Sequence, residues 1–229
     1  HRFSKPRVGG SSPPERTKLT MKLFKKKFNY LNPNKFIIKK NNFLRDFKSL
    51  YQNIDDPWNQ KKNFDIDQSI MILDGIIKHI NNKYKRLDVL DVGAGSGILK
   101  KRLNKNFKYL GTDIHGKKYK NVIFDDLNFY NLFFKSKFDL IFCLKTIYYL
   151  SDNIDQVLLN LFKYLKKDGI IIISYNLKKK SFSNKYLTDL KLKKKLSKKF
   201  KEVLTIEVNR DNFEKQREEK ITILIFQKI

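Results

Sequence analysis

Leu90-Asp91-Val92-Gly93-Ala94-Gly95-Ser96-Gly97 is the stretch on which the fold turns. An apolar run ends in a carboxylate and then breaks into three glycines at alternate positions, the pattern of a strand entering a tight turn before the next element. Glycine has no Cβ, so the backbone can take left-handed dihedrals there and a ligand can approach it closely. The spacing is Gly-x-Gly-x-Gly, and Ile98 stands where the dinucleotide fingerprint needs its third glycine. Asp91, two residues before the first glycine, suits a ligand bearing an ammonium group and would repel a pyrophosphate.

Working outward from that turn, apolar strands alternate with helical segments. The pattern predicts strands over 87–92, 109–113, 122–124, 138–144 and 169–175, and helices opening at 97–103 and spanning 154–165. Such alternation means a parallel sheet covered on both faces. Phe182 to Lys199 reads as a basic helix, and two β-rich runs at 203–208 and 221–226 follow with no helix between them, which predicts an antiparallel hairpin. The expected fold class is therefore α/β, a doubly wound, mostly parallel sheet with a C-terminal hairpin. Upstream, Ile66, Ile70, Leu73, Ile76, Ile77 and Ile80 follow the i, i+3, i+4 rule of a helix. Phe36, Ile37, Ile38, Phe43, Leu44, Phe47, Leu50 and Tyr51 recur at helical spacing as well, ending at the turn Asp55-Asp56-Pro57-Trp58-Asn59.

Asp113 closes the second strand 20 residues after Gly93, the position from which a carboxylate accepts hydrogen bonds from ribose hydroxyls. Asp125-Asp126-Leu127 closes the third. There Asp126 can accept from an adenine exocyclic amine while Leu127 packs on the ring, or the two carboxylates can simply cap the following helix. Both readings stay open on these residues.

Five segments in order resemble the motifs of class I S-adenosylmethionine-dependent methyltransferases: Leu90 to Gly97, Gly111-Thr112-Asp113-Ile114, Asp125-Asp126-Leu127, Phe138-Asp139-Leu140-Ile141 and Leu165-Lys166-Lys167-Asp168-Gly169-Ile170. The resemblance implies a seven-stranded, Rossmann-like sheet with S-adenosylmethionine as cofactor along its carboxyl edge. Carried over by position, Gly93, Ala94, Gly95 and Gly97 line the methionine moiety and Asp91 serves its ammonium. Asp113 and Ile114 fall at the ribose, Asp126 and Leu127 at the adenine, and Leu144 at the end of the fourth strand. A narrower likeness, carried by Asp55 to Asn59 and by Thr146-Ile147-Tyr148-Tyr149-Leu150-Ser151-Asp152, is to small-molecule methyltransferases of the nodulation N-methyltransferase type, in which the N-terminal segment folds over the cofactor. It makes Trp58 a cofactor neighbour, where an aromatic face favours a sulfonium cation by ~0.5–2 kcal/mol. As a plain turn residue, Trp58 would instead pack against the helix around 65–80.

Two departures bear on the substrate. Only eight residues, Ile114 to Asn121, separate the second strand from the third, where a crossover normally takes about a dozen. That compression brings His115 and Lys117 toward the adenine side. Lys145 stands where the narrower group often carries an acid, which shifts the expected acceptor toward an anionic one. His115, Lys145, Tyr148, Tyr149 and Tyr175 are the substrate-side candidates, at strand carboxyl ends or in the loops after them. No catalytic base is assigned, because methyl transfer from a sulfonium proceeds by orientation and desolvation. Cys143-Leu144-Lys145-Thr146 replaces the Asp/Asn-Pro-Pro-Tyr of adenine amino-methylation.

The chain has 229 residues and a net charge of +27, from 42 Lys and 8 Arg against 23 acids, with 21 Asn. Lys, Asn, Ile and Phe are products of A/T-rich codons, and Arg, the better reader of phosphate, is scarce. The expected partner is a small-molecule acceptor, a metabolite or sugar. An RNA or ribosomal-protein methyltransferase is the alternative, and a catalytically inactive cofactor-binding protein the alternative from another class. No apolar run approaches the ~20 residues that span a bilayer, so no membrane partner is expected. The single cysteine, Cys143, leaves no disulfide and no Cys-based zinc site, and the expected setting is the reduced cytoplasm. Three of the five prolines and three of the arginines fall in residues 1–20, read as a disordered or non-native tail with Met21 as the start. Residues 21–84 are read as an N-terminal helical cap or lid and 85–229 as the cofactor-binding domain.

Overall fold

The computed structural model describes residues 36, 38–39, 42–43, 46–54, 56–58, 68–115, 121–124, 137–176, 188–212 and 217–229. Its centre is β3 (Asp88–Val92), which pairs in parallel with β4 (Lys108–Asp113) on one side and with β6 (Phe138–Leu144) on the other. With β5 (Val122–Phe124), β7 (Leu165–Asn176), β8 (Phe200–Asn212) and β9 (Arg217–Lys228), the sheet has seven strands in the order β5-β4-β3-β6-β7-β9-β8. The first five run parallel, and the terminal hairpin is antiparallel, with β9 seated between β7 and β8. Interior position explains composition. Ile221 to Phe226 on β9 are all buried, whereas Val203 and Leu204 on the outer β8 are exposed. A bulge between Glu202 and Leu204 interrupts that edge, a common protection against edge-to-edge pairing.

Each face of the sheet has its own core. Leu90, Val92, Ile141, Cys143, Ile171, Ile173 and Leu224 pack beneath α3 (Ile154–Tyr164) and α4 (Asp189–Leu196), whose Val157, Leu161, Leu192 and Leu196 are fully buried. Val89, Leu140, Phe142, Ile172 and Ile223 meet Leu73, Ile77 and Ile80 of α2 (Gln68–Lys83) on the other face. The boundary drawn from sequence at 84 therefore cuts through a shared core. Helix α2 covers the sheet, so it packs with the domain of 85–229 rather than with a separate cap.

Three further expectations change. The helical spacing over 36–51 resolves into a short antiparallel pair, β1 (Ile38–Lys39) with β2 (Asn42–Phe43), and then α1 (Phe47–Asn53). Asp46 caps α1 by accepting from the Ser49 N–H, which sets its start, and Ile54 ends it before the turn at 56–58. The helix expected over 97–103 is only a 3₁₀ turn, Ile98–Lys101. Asn81 of α2 stops it, donating to the Arg102 carbonyl at 2.8 Å and accepting from Asn104 N–H at 2.9 Å. The basic helix expected over 182–199 is α4 alone among the described residues, and 177–187 lie outside them.

After β5 the chain crosses to the far side of β3 and enters β6, so the strand order reverses between β3 and β6. In doubly wound sheets the crevice at such a reversal, beyond the carboxyl ends of the strands, is where ligands bind.

Candidate active site

The turn after β3 fixes the floor of that crevice. Gly93, Gly95 and Gly97 all have positive φ (71°, 53° and 70°). At Gly93 the requirement is double, because a Cβ would also collide with Thr146 Oγ1. Thr146 is thus laid over the glycine turn, held there by a hydrogen bond from its hydroxyl to Leu144 O at 2.9 Å. The Gly93 and Ala94 N–H groups both donate to Thr112 O, at 2.8 and 3.0 Å, tying the turn to β4.

Two carboxylates lie beneath it. Asp91 is 3% exposed, and its Oδ2 accepts from Tyr109 OH at 2.7 Å. Burial pushes it up to about 7, against the pull of the Tyr109 hydroxyl and with the help of the nearby Asp113 charge; among the described residues no cation contributes. Asp113 is 8% exposed. Its Oδ2 accepts from Gly95 N–H at 2.9 Å, and its Oδ1 lies 3.2 Å from His115 Nε2. Burial raises Asp113 too, opposed first by His115 and then by the backbone N–H groups of Gly95, His115 and Ile114. Two buried acids at one strand edge, one without a cationic partner among the described residues, make a site that is short of positive charge there. A ligand carrying an ammonium group and a ribose fits this donor and acceptor set.

Over the edge lies an aromatic roof. Tyr149 meets Phe47 of α1 edge to face, with ring centroids 5.4 Å apart. Trp58 lies 5.8 Å from Tyr149, and its indole N–H donates to Tyr51 OH at 3.0 Å. Tyr51 in turn lies against His115 with ring centroids 3.7 Å apart. Tyr148 and Tyr149 lie 4.2 Å apart in the 3₁₀ segment Ile147–Asn153, both raised by burial. The contacts of Trp58 are with Tyr51 and Tyr149. Lys145 follows β6 with φ of 52°, a left-handed conformation unusual for lysine, and its N–H donates to Ser174 O at 2.7 Å.

Most of the sequence candidates converge. Asp91, Gly93, Ala94, Gly95, Gly97, Asp113, Ile114 and His115 lie in the β3 and β4 termini and the turns that follow them, Leu144, Lys145, Tyr148 and Tyr149 just across from them at and beyond the end of β6, and Trp58 above. Tyr175 does not join them. It is 1% exposed on the opposite face beneath α4, its hydroxyl donating to Asp189, and burial raises it far above the ordinary tyrosine range. Strand parity explains the correction, since Ser174, not Tyr175, shares the Asp91 face. Lys117, Asp125, Asp126 and Leu127 lie outside the described residues. Cys143 is wholly buried and its thiol is raised by that burial, consistent with a packing role.

Tyr109, Thr146, Phe47 and Tyr51 are the functional neighbours that sequence reasoning missed. Tyr109 had a readable signal. It shares the Gly111 and Asp113 face, and Gly111 leaves room for its ring, since a Cβ there would come 3.1 Å from its hydroxyl. Among the described residues no cluster of metal-ligating side chains occurs, and no helix is long and apolar enough to cross a membrane.

A family model described as a methyltransferase domain matches residues 56–206. Among solved structures, the chain is similar to the N-methyltransferase NodS from Bradyrhizobium japonicum WM9 in complex with S-adenosyl-L-homocysteine. That match has 15% identity and a TM-score of 0.59, covering 80% of this chain and 97% of that one. An S-adenosylmethionine-dependent methyltransferase from Clostridium acetobutylicum ATCC 824 is similar at 16% identity and a TM-score of 0.54, over 78% of this chain and 99% of that one. The [4+2]-cyclase SpnF is similar at 14% identity and a TM-score of 0.53, over 70% and 81%. At such identities these likenesses establish the fold. No curated protein matches the sequence.

Proposed function

The chain belongs to the methyltransferase-domain family and is an S-adenosylmethionine-dependent enzyme; from that premise we propose that it methylates a small metabolite or sugar, held between the glycine turn and the aromatic roof. The observation that carries this reading is the roof itself. Phe47 and Trp58, both from the N-terminal segment, pack on Tyr149 across the carboxyl edge. A polymer would have to thread beneath them, whereas a small molecule needs only the space they cover.

In this reading Asp91 takes the cofactor's ammonium, Asp113 its ribose hydroxyls, and the glycine turn its methionine backbone. When bound, S-adenosylmethionine supplies a methyl group on a sulfonium that is already electrophilic. The chain's part is to orient the acceptor in line with that methyl and to exclude water, effects that can supply several kcal/mol of the barrier reduction. Phe47, Trp58 and Tyr149 provide apolar walls for it. Lys145 follows the end of β6 beside Thr146, and in this reading a lysine at that position favours an acceptor that carries a carboxylate or phosphate. Residues 1–20 are dispensable in this reading, and the lid is the part of the N-terminal segment preceding α2.

The test is a methyl-transfer assay with labelled S-adenosylmethionine, run in parallel on a fractionated metabolite extract and on total cellular RNA. Label entering a low-molecular-weight anionic fraction is the expected result. Label in a defined RNA would overturn it and turn attention to the exposed lysines of α4.

A further inference from the structure

Three contacts run in series from the N-terminal segment into the carboxylate site. Trp58 Nε1–H donates to Tyr51 OH, the Tyr51 ring lies against His115 with centroids 3.7 Å apart and planes inclined at 50°, and His115 Nε2 lies 3.2 Å from Asp113 Oδ1. The other oxygen of Asp113 takes the Gly95 N–H of the glycine turn. The imidazole is 8% exposed and the Asp113 side chain 9%, so water does not loosen this contact. His115 is therefore the one side chain in this series that touches both α1 and the carboxylate. Its place follows from the short connection after β4, since Ile114 and His115 are the first two residues of the turn and the strand terminus fixes both.

We propose that His115 is a positioning residue that couples the packing of the N-terminal segment to the orientation of the Asp113 carboxylate. The inference rests on the reading of Asp113 as the ribose acceptor. The imidazole does two separable jobs. Its Nε2 stands 3.2 Å from Oδ1 without the geometry of a hydrogen bond, so the imidazole packs against that edge of the carboxylate and attracts it when protonated, with Oδ2 already committed to the turn. Its ring face supports Tyr51, and through Tyr51 it supports Trp58. A cofactor that engages Asp113 is thereby sensed by the lid, and a displaced lid leaves Asp113 less well oriented. The backbone N–H groups at the turn hold the carboxylate from one side, and the imidazole closes the other as an electrostatic and packing contact.

The two jobs can be separated by substitution. His115→Phe keeps a ring against Tyr51 and removes the nitrogen at Asp113; His115→Gln keeps an amide donor and removes the ring. The probe is S-adenosylhomocysteine, titrated by calorimetry, and the lid reporter is the fluorescence of Trp58, the only tryptophan of the chain. For His115→Phe the expected result is affinity weakened about 5–10-fold, roughly 1–1.4 kcal/mol, as the electrostatic contact at Oδ1 is lost, with the Trp58 response to ligand retained. For His115→Gln affinity should stay within about threefold of wild type, roughly 0.6 kcal/mol, while the Trp58 response is lost. A residue that merely stabilises the fold would move both readouts together, and melting curves for each variant identify that outcome as a refutation. Unchanged affinity in His115→Phe, or a wild-type Trp58 response in His115→Gln, also overturns the proposal. Asp113→Asn separates this failure from that of its premise. Unchanged affinity there removes Asp113 from the ribose site and the inference with it. Weakened affinity there beside an unaffected His115→Phe sinks the coupling and leaves the site standing.

Discussion

Strand β3 carries an aspartate near each end, and the two live in opposite circumstances. At the amino edge, Asp88 Oδ2 takes Lys166 Nζ at 2.8 Å, and the same ammonium reaches Asp139 Oδ2 at 2.9 Å. Asp139 Oδ2 also accepts the Asp88 N–H at 2.8 Å, so one lysine ties the starts of β3, β6 and β7. Its hydrogen bond holds Asp88 below the usual carboxylate range. At the carboxyl edge Asp91 is buried, hydrogen-bonded among the described residues by a neutral hydroxyl, and raised to about 7. The same residue type on the same strand is thus neutralised from within at one end and left in want of a cation at the other. Asp88 favours its charge in the folded chain; Asp91 is charged at the expense of the fold, the condition expected of the ligand-binding role proposed for it.

The largest effect expected from breaking this contrast is at Asp91. Asp91→Asn should weaken S-adenosylhomocysteine binding by roughly 30-fold to more than 1,000-fold, the range for removing one partner of a buried charge pair. The same variant should raise the stability of the ligand-free protein at pH 8. The folded-state value of Asp91 lies above its unfolded value, so its favourable contribution is full below about pH 4 and is lost as pH rises through about 7. Asparagine removes that loss, by about 2–4 kcal/mol at pH 8. Chemical denaturation of both proteins at pH 5 and pH 8 checks the sign, and an Asp91→Asn variant less stable than wild type at pH 8 would contradict the contrast.

Gly93→Ala comes next. Positive φ and the collision with Thr146 together should cost about 2–4 kcal/mol of stability. Pairing it with Thr146→Gly should recover part of the melting temperature, the part due to the collision, and leave the part due to φ. Full recovery would mean the backbone conformation costs nothing.

A smaller effect is the pH dependence of binding. In the proposed role the ligand ammonium pairs with ionised Asp91, so affinity should be flat above about pH 7 and fall below it, reaching about 30-fold weaker at pH 5.5. Calorimetry in buffers of different ionisation enthalpy should show proton release on binding at pH 6, and no release in Asp91→Asn. The smallest effect is at the amino edge. Lys166 and Asp88 are each about a third exposed, so Lys166→Met should cost no more than about 1 kcal/mol and leave ligand affinity unchanged. A large loss of affinity there would erase the distinction between the two edges.

Sequence by itself determined the parallel strands, the C-terminal hairpin, the glycine turn and the two acids Asp91 and Asp113, because each is written in local apolar periodicity or in residue types that a strand end demands. Tertiary structure alone decided the rest. The spacing over 36–51 fits a helix until Asp46 caps a start at 47, and the helix expected after Gly97 is cut short by Asn81, a residue sixteen positions earlier. Tyr175 and Ser174 are one residue apart, and only the registered sheet says which of them shares a face with Asp91. Tyr109 under Asp91, Thr146 over Gly93 and the series Trp58–Tyr51–His115–Asp113 are contacts between segments distant along the chain. Periodicity reports the environment of a segment along its own axis. Which segment then lies across it depends on packing both faces of the sheet at once, and no single stretch of sequence carries that information.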